Sequence, residues 1–229
     1  VALAFSSLTA VVAGGFLAAM TGTLERYPGL LVLVPAAIGM RGNIFGALGS
    51  RLATSIHAGT FRISRRHEAL VTQNVFASGV LSLVTAVILA VLTKILSPIF
   101  GLDSVVAIAD LVVLSAVGAL LSFLVLIAVT LSLAARSVER GWDLDDVNAP
   151  LVSAVGDVVT LPALLVASFL LEIDVLTTTL AVLLVLLSAL TLWWSRRSLL
   201  TMMRQILAES LPILLATGIL LVIAGVVIE

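Results

Sequence analysis

Residues 174–197 read DVLTTTLAVLLVLLSALTLWWSRR, and this stretch decides the fold class. From Val175 to Trp194 no side chain is ionisable, and about 20 such residues in a helix cross the hydrocarbon core of a bilayer. A tryptophan pair and then an arginine pair close the run. Indole rings settle at headgroup level, and guanidinium groups are retained on the cytoplasmic side.

The same pattern recurs in both directions along the chain. Apolar runs between charges and turn residues predict spans near 3–24, 30–57, 71–98, 104–135, 148–171, 174–194 and 205–228. Of the 229 residues, 61% are apolar and 11% charged, whereas soluble domains average about 45–50% and about 25%. Mean hydropathy is +1.28. These values predict an all-α, polytopic transmembrane helical bundle embedded in lipid. The absence of cysteine excludes a disulfide framework, a thiolate metal site and a thiol nucleophile. A formal charge of −1 leaves no broad basic surface for nucleic acid. No basic segment precedes the first apolar stretch and no A-x-A-like site follows it, so the first helix is expected to be retained.

Basic residues set the expected direction. Arg62, Arg65 and Arg66 follow the second span, Arg136 and Arg140 the fourth, and Arg196, Arg197 and Arg204 lie between the sixth and seventh. The other side holds Arg26 and Lys94 beside Glu25, Asp103, Glu172 and Asp174. This alternation predicts a multi-pass protein of the cell membrane with a cytoplasmic N-terminus. Trp142, Trp193 and Trp194 fall at the inner interface and Tyr27 at the outer one, as anchors.

The chain resembles itself. SLTAVVAGGFLAAMTGTLE, Ser7 to Glu25, is similar to SLPILLATGILLVIAGVVIE, Ser210 to Glu229: Ser7, Leu8, Gly15 and Gly22 match Ser210, Leu211, Gly218 and Gly225 at equal spacing. If the seventh span copies the first, the repeating unit has five spans, and the sixth is a connector that restores a parallel orientation. The expected organisation is a five-span half over residues 1–171, a connector span with a basic inner loop over 172–203, and the first span of a second, truncated repeat over 204–229. Such a chain is a fragment, or a half that needs another half.

Ionisable groups within spans cost about 2.5–3.5 kcal/mol each on insertion scales, so they are the functional candidates. Asp157 lies nine residues beyond Asn148, about 13.5 Å into a core about 30 Å thick. It is either an ion or proton site, or a protonated carboxyl that fixes helix packing. Arg41 stands in a span crowded by Pro35, Gly39, Gly42, Gly46 and Gly49, with Asn43 beside it. That segment reads equally as a cavity lining and as a glycine-faced packing seam in which Asn43 bonds a neighbour. Arg51, near the inner end, can snorkel. Asp103 fits an N-cap of the fourth span, and Asn148 with Pro150 fits the start of the fifth. Asp110, about two turns inside the fourth span, either lines the outer mouth or snorkels into local pairing. His57 reads as interfacial and His67 as solvated. No His-x-x-His or Glu-x-x-His pair supports a transition-metal site.

Two segments carry a family resemblance: PAAIGMRGNIFGALGSRLAT, Pro35 to Thr54, and DVNAPLVSAVGDVVT, Asp146 to Thr160. They resemble the Gly-Asn and Gly-Asp segments in the second and fifth helices of the membrane domain shared by MgtE-type magnesium transporters and solute carrier family 41. The resemblance implies a five-helix half that pairs with an equivalent half, as a homodimer or as fused copies, around a cation pathway. It implies that Asp157 is the pore acid and that Asn43, Asn148 and Pro150 line or shape the pathway. The solute carrier branch carries a basic residue before its Gly-Asn, so the resemblance makes Arg41 expected without explaining it. The large cytoplasmic sensor domains of MgtE-type proteins have no counterpart in this sequence, so their gating does not carry over.

The chemistry of the residues agrees. Mg²⁺ binds hard oxygen and is usually held through one or two carboxylates with several waters retained. One Asp157 from each of two halves supplies two carboxylates, and Ser153, Thr160 and Asn148 can contact the ion's waters. Arg41, Gly42, Pro150 and Asp110 are the candidates for shaping or gating the path. The same oxygen set admits Mn²⁺, Ca²⁺ and Co²⁺. The expected function is divalent cation transport, with Mg²⁺ as transported ion and no enzymatic activity. Two other classes compete: a proton- or anion-coupled secondary carrier, favoured by the awkward charge of Arg41, and a non-transporting assembly subunit. An intramembrane aspartyl protease is disfavoured, since Ala154 stands where its Gly-x-Gly-Asp motif has glycine and Tyr27 precedes proline.

Overall fold

Two glycines in the left-handed region help to fix where helices begin and end. Gly29, at φ 91°, precedes α3 (Leu30–His57). Gly141, at φ 66°, closes α5 (Ile108–Arg140) by donating its N–H to the Ser137 carbonyl. A Cβ at such angles crowds the backbone, so both positions favour glycine. The computed structural model describes residues 2–27, 29–62, 69–100, 106–172 and 174–228. Its other helices are α1 (Ala2–Ala19), α2 (Thr21–Arg26), α4 (Leu70–Ile99), α6 (Leu144–Ser168, extended by a 3₁₀ turn Phe169–Glu172), α7 (Asp174–Arg197) and α8 (Thr201–Ile228). No strand occurs among the described residues.

The polytopic all-α expectation holds, and α3 to α8 are each long and apolar enough to cross a membrane. The first expected span differs. Its helix is interrupted at Met20, whose N–H is shared between the carbonyls of Phe16 and Leu17 at 3.0 and 3.1 Å. Before the break α1 runs for 18 residues, Ala2–Ala19, none of them charged. Two helix starts also move. α6 begins at Leu144, so Asn148 lies a turn inside it. α5 begins at Ile108, which puts Asp110 in its first turn, where a carboxylate complements the helix dipole. Asp103 and His67 lie outside the described residues.

Helices α3, α4, α5 and α6 form the packed body. Helix α1 lies on α6, α7 on α5 and α4, and α8 on α3 and α4. The ring of Phe45 on α3 meets Phe123 on α5 at 5.9 Å. α3 to α6 bury 50–61% of their apolar stretches, whereas α7 and α8 bury 22% and 28%. The outer pair therefore carries exposed aliphatic side chains such as Val182, Leu186, Leu190 and Leu220. The seam between α8 and α3 is close. A side chain at Gly225 would strike the Val32 backbone, and Gly39 lies against Leu221.

Many hydroxyls inside the body are satisfied locally, although those of Ser78, Ser82, Thr93 and Ser97 on α4 have no hydrogen-bond partner among the described residues. The hydroxyls of Thr85, Ser122 and Thr130 donate to carbonyls four residues back, at 2.6–2.8 Å. Ser115 instead crosses between helices, donating to the Ala86 carbonyl at 2.7 Å. With no water in the hydrocarbon layer, such bonds are what makes these hydroxyls tolerable there.

Candidate cation pathway

The two motif-bearing helices, α3 and α6, pack antiparallel. His57 Nε2 at the end of α3 stands 3.6 Å from Asp143 Oδ1, just before α6. Farther along α6, Asn148 Nδ2 donates to the Gly46 carbonyl of α3 at 3.4 Å. Asn148 is buried, and a methyl group at Gly49 would overlap its amide. The glycines of this stretch thus do two jobs. Gly49 admits a polar side chain from α6, while a Cβ at Gly42 or Gly46 would meet open space.

Asp157 follows Asn148 by nine residues, two and a half helical turns, so an unkinked α6 would project the two from opposite sides. It lies seven residues, about 10.5 Å, beyond Pro150 and within the apolar stretch of α6. Its side chain is half-buried and forms no hydrogen bond or ion pair with the described residues. Ser153, one turn earlier on the same face, is exposed. Thr160 is buried, and its hydroxyl donates to the Gly156 carbonyl at 2.7 Å. Within this chain the expected ligands therefore divide: Ser153 and Asp157 face outward together, whereas Asn148 and Thr160 are held in helix contacts. Among the described residues no three His, Cys, Asp or Glu side chains converge.

Helix α3 contributes a second polar surface. Its exposed residues short of the terminal His57 are Asn43, Ala47, Ser50 and Thr54, spaced along one face with no large apolar side chain among them. This differs sharply from the aliphatic exteriors of α7 and α8. Asn43 and Ala47 also line a cavity of about 270 Å³ with Arg51, Leu81, Ser210 and Thr217, between α3, α4 and α8. Asp157 is not among the residues lining it.

Arg41 is fully buried. Nη1 donates to the Ala37 carbonyl of its own helix at 3.5 Å, while Nε and Nη2 have no hydrogen-bond partner. No pair with Asp157 is formed. Arg51 does more than snorkel: its Nε donates to Oδ1 of the buried Asn74 at 2.7 Å and ties α3 to α4. Nearby, Gln73 Oε1 accepts from the Met203 N–H at 3.2 Å and joins α4 to α8. Sequence reading missed Asn74 and Gln73; two adjacent amides at the start of an apolar span were the available signal. Pro150 lies in α6 without an N–H to give, and Asp110 stands at the start of α5, away from the Asn148 seam.

At the helix ends, Arg140 lies over the Trp142 ring at 4.9 Å, Arg197 over Trp193 at 4.5 Å and Arg26 over Tyr27 at 5.6 Å. These cation–π pairs fit aromatic anchors at an interface.

Comparison with known protein families finds one described as MgtE, divalent cation transporter, whose model matches residues 34–167, more than half of the chain. The match begins one turn into α3 and ends in the last turn of α6. No solved structure matches the chain.

Proposed function

The chain belongs to the MgtE family of divalent cation transporters, and from that premise we propose that it forms one half of a Mg²⁺ pathway whose acidic centre is Asp157. The family is one of transporters and not of enzymes, and the span-length helices are those of an integral membrane protein. The observation that carries the finer reading is the carboxylate itself. Asp157 lies inside an apolar span, half-exposed, with no partner among the described residues. An ionised group there is costly unless it faces water, a cation or another polar surface.

A second equivalent half supplies that surface. The outward Ser153–Asp157 face and the Asn43–Ala47–Ser50–Thr54 face of α3 are wrong for lipid and right for a hydrated wall. Two Asp157 carboxylates related by a twofold axis hold a Mg²⁺ that keeps most of its waters. Ser153 and Asn43 contact those waters, and Asn148, Gly49 and Pro150 fix the helix that carries the acid. The repeat supports the same pairing: Gly218 lies against Met40 and Leu89, and Gly225 against Val32, while their counterparts, Gly15 of α1 and Gly22 of α2, have open space. On this reading residues 1–171 are one half, 172–203 connect, and 204–229 open a second. The basic loops support a cytoplasmic N-terminus, and the same reading puts the protein in the cell membrane.

The test is Mg²⁺ uptake into proteoliposomes. Asp157→Asn is expected to abolish uptake while the protein stays folded and inserted. Unchanged uptake by that variant removes Asp157 from the pathway.

A further inference from the structure

Helices α7 and α8 are consecutive and joined by a short turn, yet they scarcely touch; both rest on α4 instead. Between them lies a groove of about 910 Å³. Val84 and Ile88 of α4 are among its lining, with Leu192 of α7 on one side and Leu211 and Leu215 of α8 on the other. Arg196 and Arg204 line the same groove near the turn that joins the two helices. Both guanidinium groups are exposed, neither has a hydrogen-bond or ion-pair partner among the described residues, and no carboxylate lines the groove. Arg197 is engaged elsewhere, over the Trp193 ring. Glu209, the carboxylate nearest in sequence, does not line the groove; it accepts from Gln205, which does, and is an electrostatic neighbour of Arg51.

We infer that this groove is a binding site for a phospholipid with an anionic headgroup, its phosphate between Arg196 and Arg204 and one acyl chain along the α4 floor. The dimensions fit. Arg204 to Leu215 is eleven residues, about 16.5 Å of helix, and one leaflet of the hydrocarbon core is about 15 Å thick. Trp193 and Trp194, both exposed, put the mouth at headgroup level. Basic pockets between transmembrane helices suit anionic headgroups because phosphate accepts charge-assisted hydrogen bonds while the chain stays in hydrocarbon.

The experiment uses the whole chain in bilayers containing lipids with brominated acyl chains, which quench tryptophan on contact; Trp142→Phe leaves Trp193 and Trp194 as reporters. Brominated phosphatidylglycerol is expected to quench at least threefold more effectively than brominated phosphatidylcholine at equal mole fraction. Arg196→Gln/Arg204→Gln is expected to reduce that ratio to about one, and Arg197→Gln to preserve it. Inorganic phosphate at 10 mM is expected not to displace the lipid, which separates a lipid site from a free-phosphate site. Equal quenching by both lipids in the protein with native arginines overturns the proposal, even if the double variant fails to fold. So does a preference that survives the double variant, displacement by phosphate, or a disulfide between two copies through Leu211→Cys, which would mean that protein and not lipid covers the groove.

Discussion

Asn148 of α6 donates to the Gly46 carbonyl of α3 and occupies the space that a side chain at Gly49 would need. This contact locks together the two helices that carry the family motifs. It is made inside the bundle, where a buried amide is tolerated because the neighbouring glycines let it approach backbone.

The seam predicts a size-dependent loss. Gly49→Ala overfills it and is expected to lower stability in detergent by about 1–3 kcal/mol. Adding Asn148→Ala should recover much of that loss, because the methyl group then has room; contacting residues commonly couple by about 0.5–3 kcal/mol in such cycles. Additive losses in thermal unfolding would mean that the two residues do not meet.

Ser115 gives a milder test of helix pairing. Its hydroxyl bridges α5 to the Ala86 carbonyl of α4, whereas that of Ser122 returns to Gly118 of its own helix. Interhelical hydrogen bonds in membranes average about 0.6 kcal/mol, so Ser115→Ala should lower the unfolding free energy by about that amount and Ser122→Ala by less. Equal losses would contradict the bridge.

Pairing of halves is read at Ser153. It is exposed one turn before Asp157, and the chain contains no cysteine, so Ser153→Cys is a unique reporter. In oxidised membranes it is expected to crosslink two copies, whereas Leu186→Cys, on the aliphatic face of α7, should not. No crosslink at Ser153, by disulfide or by longer thiol-directed reagents, would count against the proposed homodimeric pairing.

Much of the architecture was legible because lipid imposes so simple a rule. The apolar runs placed α3 and α4 to within a residue at each end, although α3 also carries Arg41 and Arg51, whereas α5 runs past Arg136, the charge expected to close it. The break at Met20 was not legible, since no proline or charge marks it. The start of α6 was obscured by Asp145 and Asp146, which read as loop although acids are at home in a first helical turn. At the site, depth along the helix could be read for Asp157, Asn148 and Asn43, but azimuth could not. Which side of α6 or α3 a residue occupies depends on helix neighbours that a single span does not reveal. That is why Asn148 turned out to clasp α3 and Thr160 to bond its own helix, and why Asn74 and Gln73 went unnoticed as the partners of Arg51 and Met203.

Arg41 poses the last question. At 4 Å and an effective dielectric near 20, a guanidinium and a carboxylate attract by about 4 kcal/mol before desolvation. That arithmetic makes an Arg41–Asp157 pair an attractive closed state for an empty site. The structure instead leaves Arg41 bonded only to Ala37, with Nε and Nη2 unpartnered. A buried charge without a partner carries an uncompensated desolvation cost, which a neutral side chain of similar length avoids. Arg41→Gln is therefore expected to leave thermal stability unchanged or raised. Because a fixed positive charge within the same half opposes an arriving cation, the variant should still transport Mg²⁺, with half-maximal uptake at a lower concentration. It should create no dependence on anions. Radiolabelled phosphate uptake by the wild type that Arg41→Gln abolishes would assign the arginine to an anion carrier and displace the cation reading of this helix.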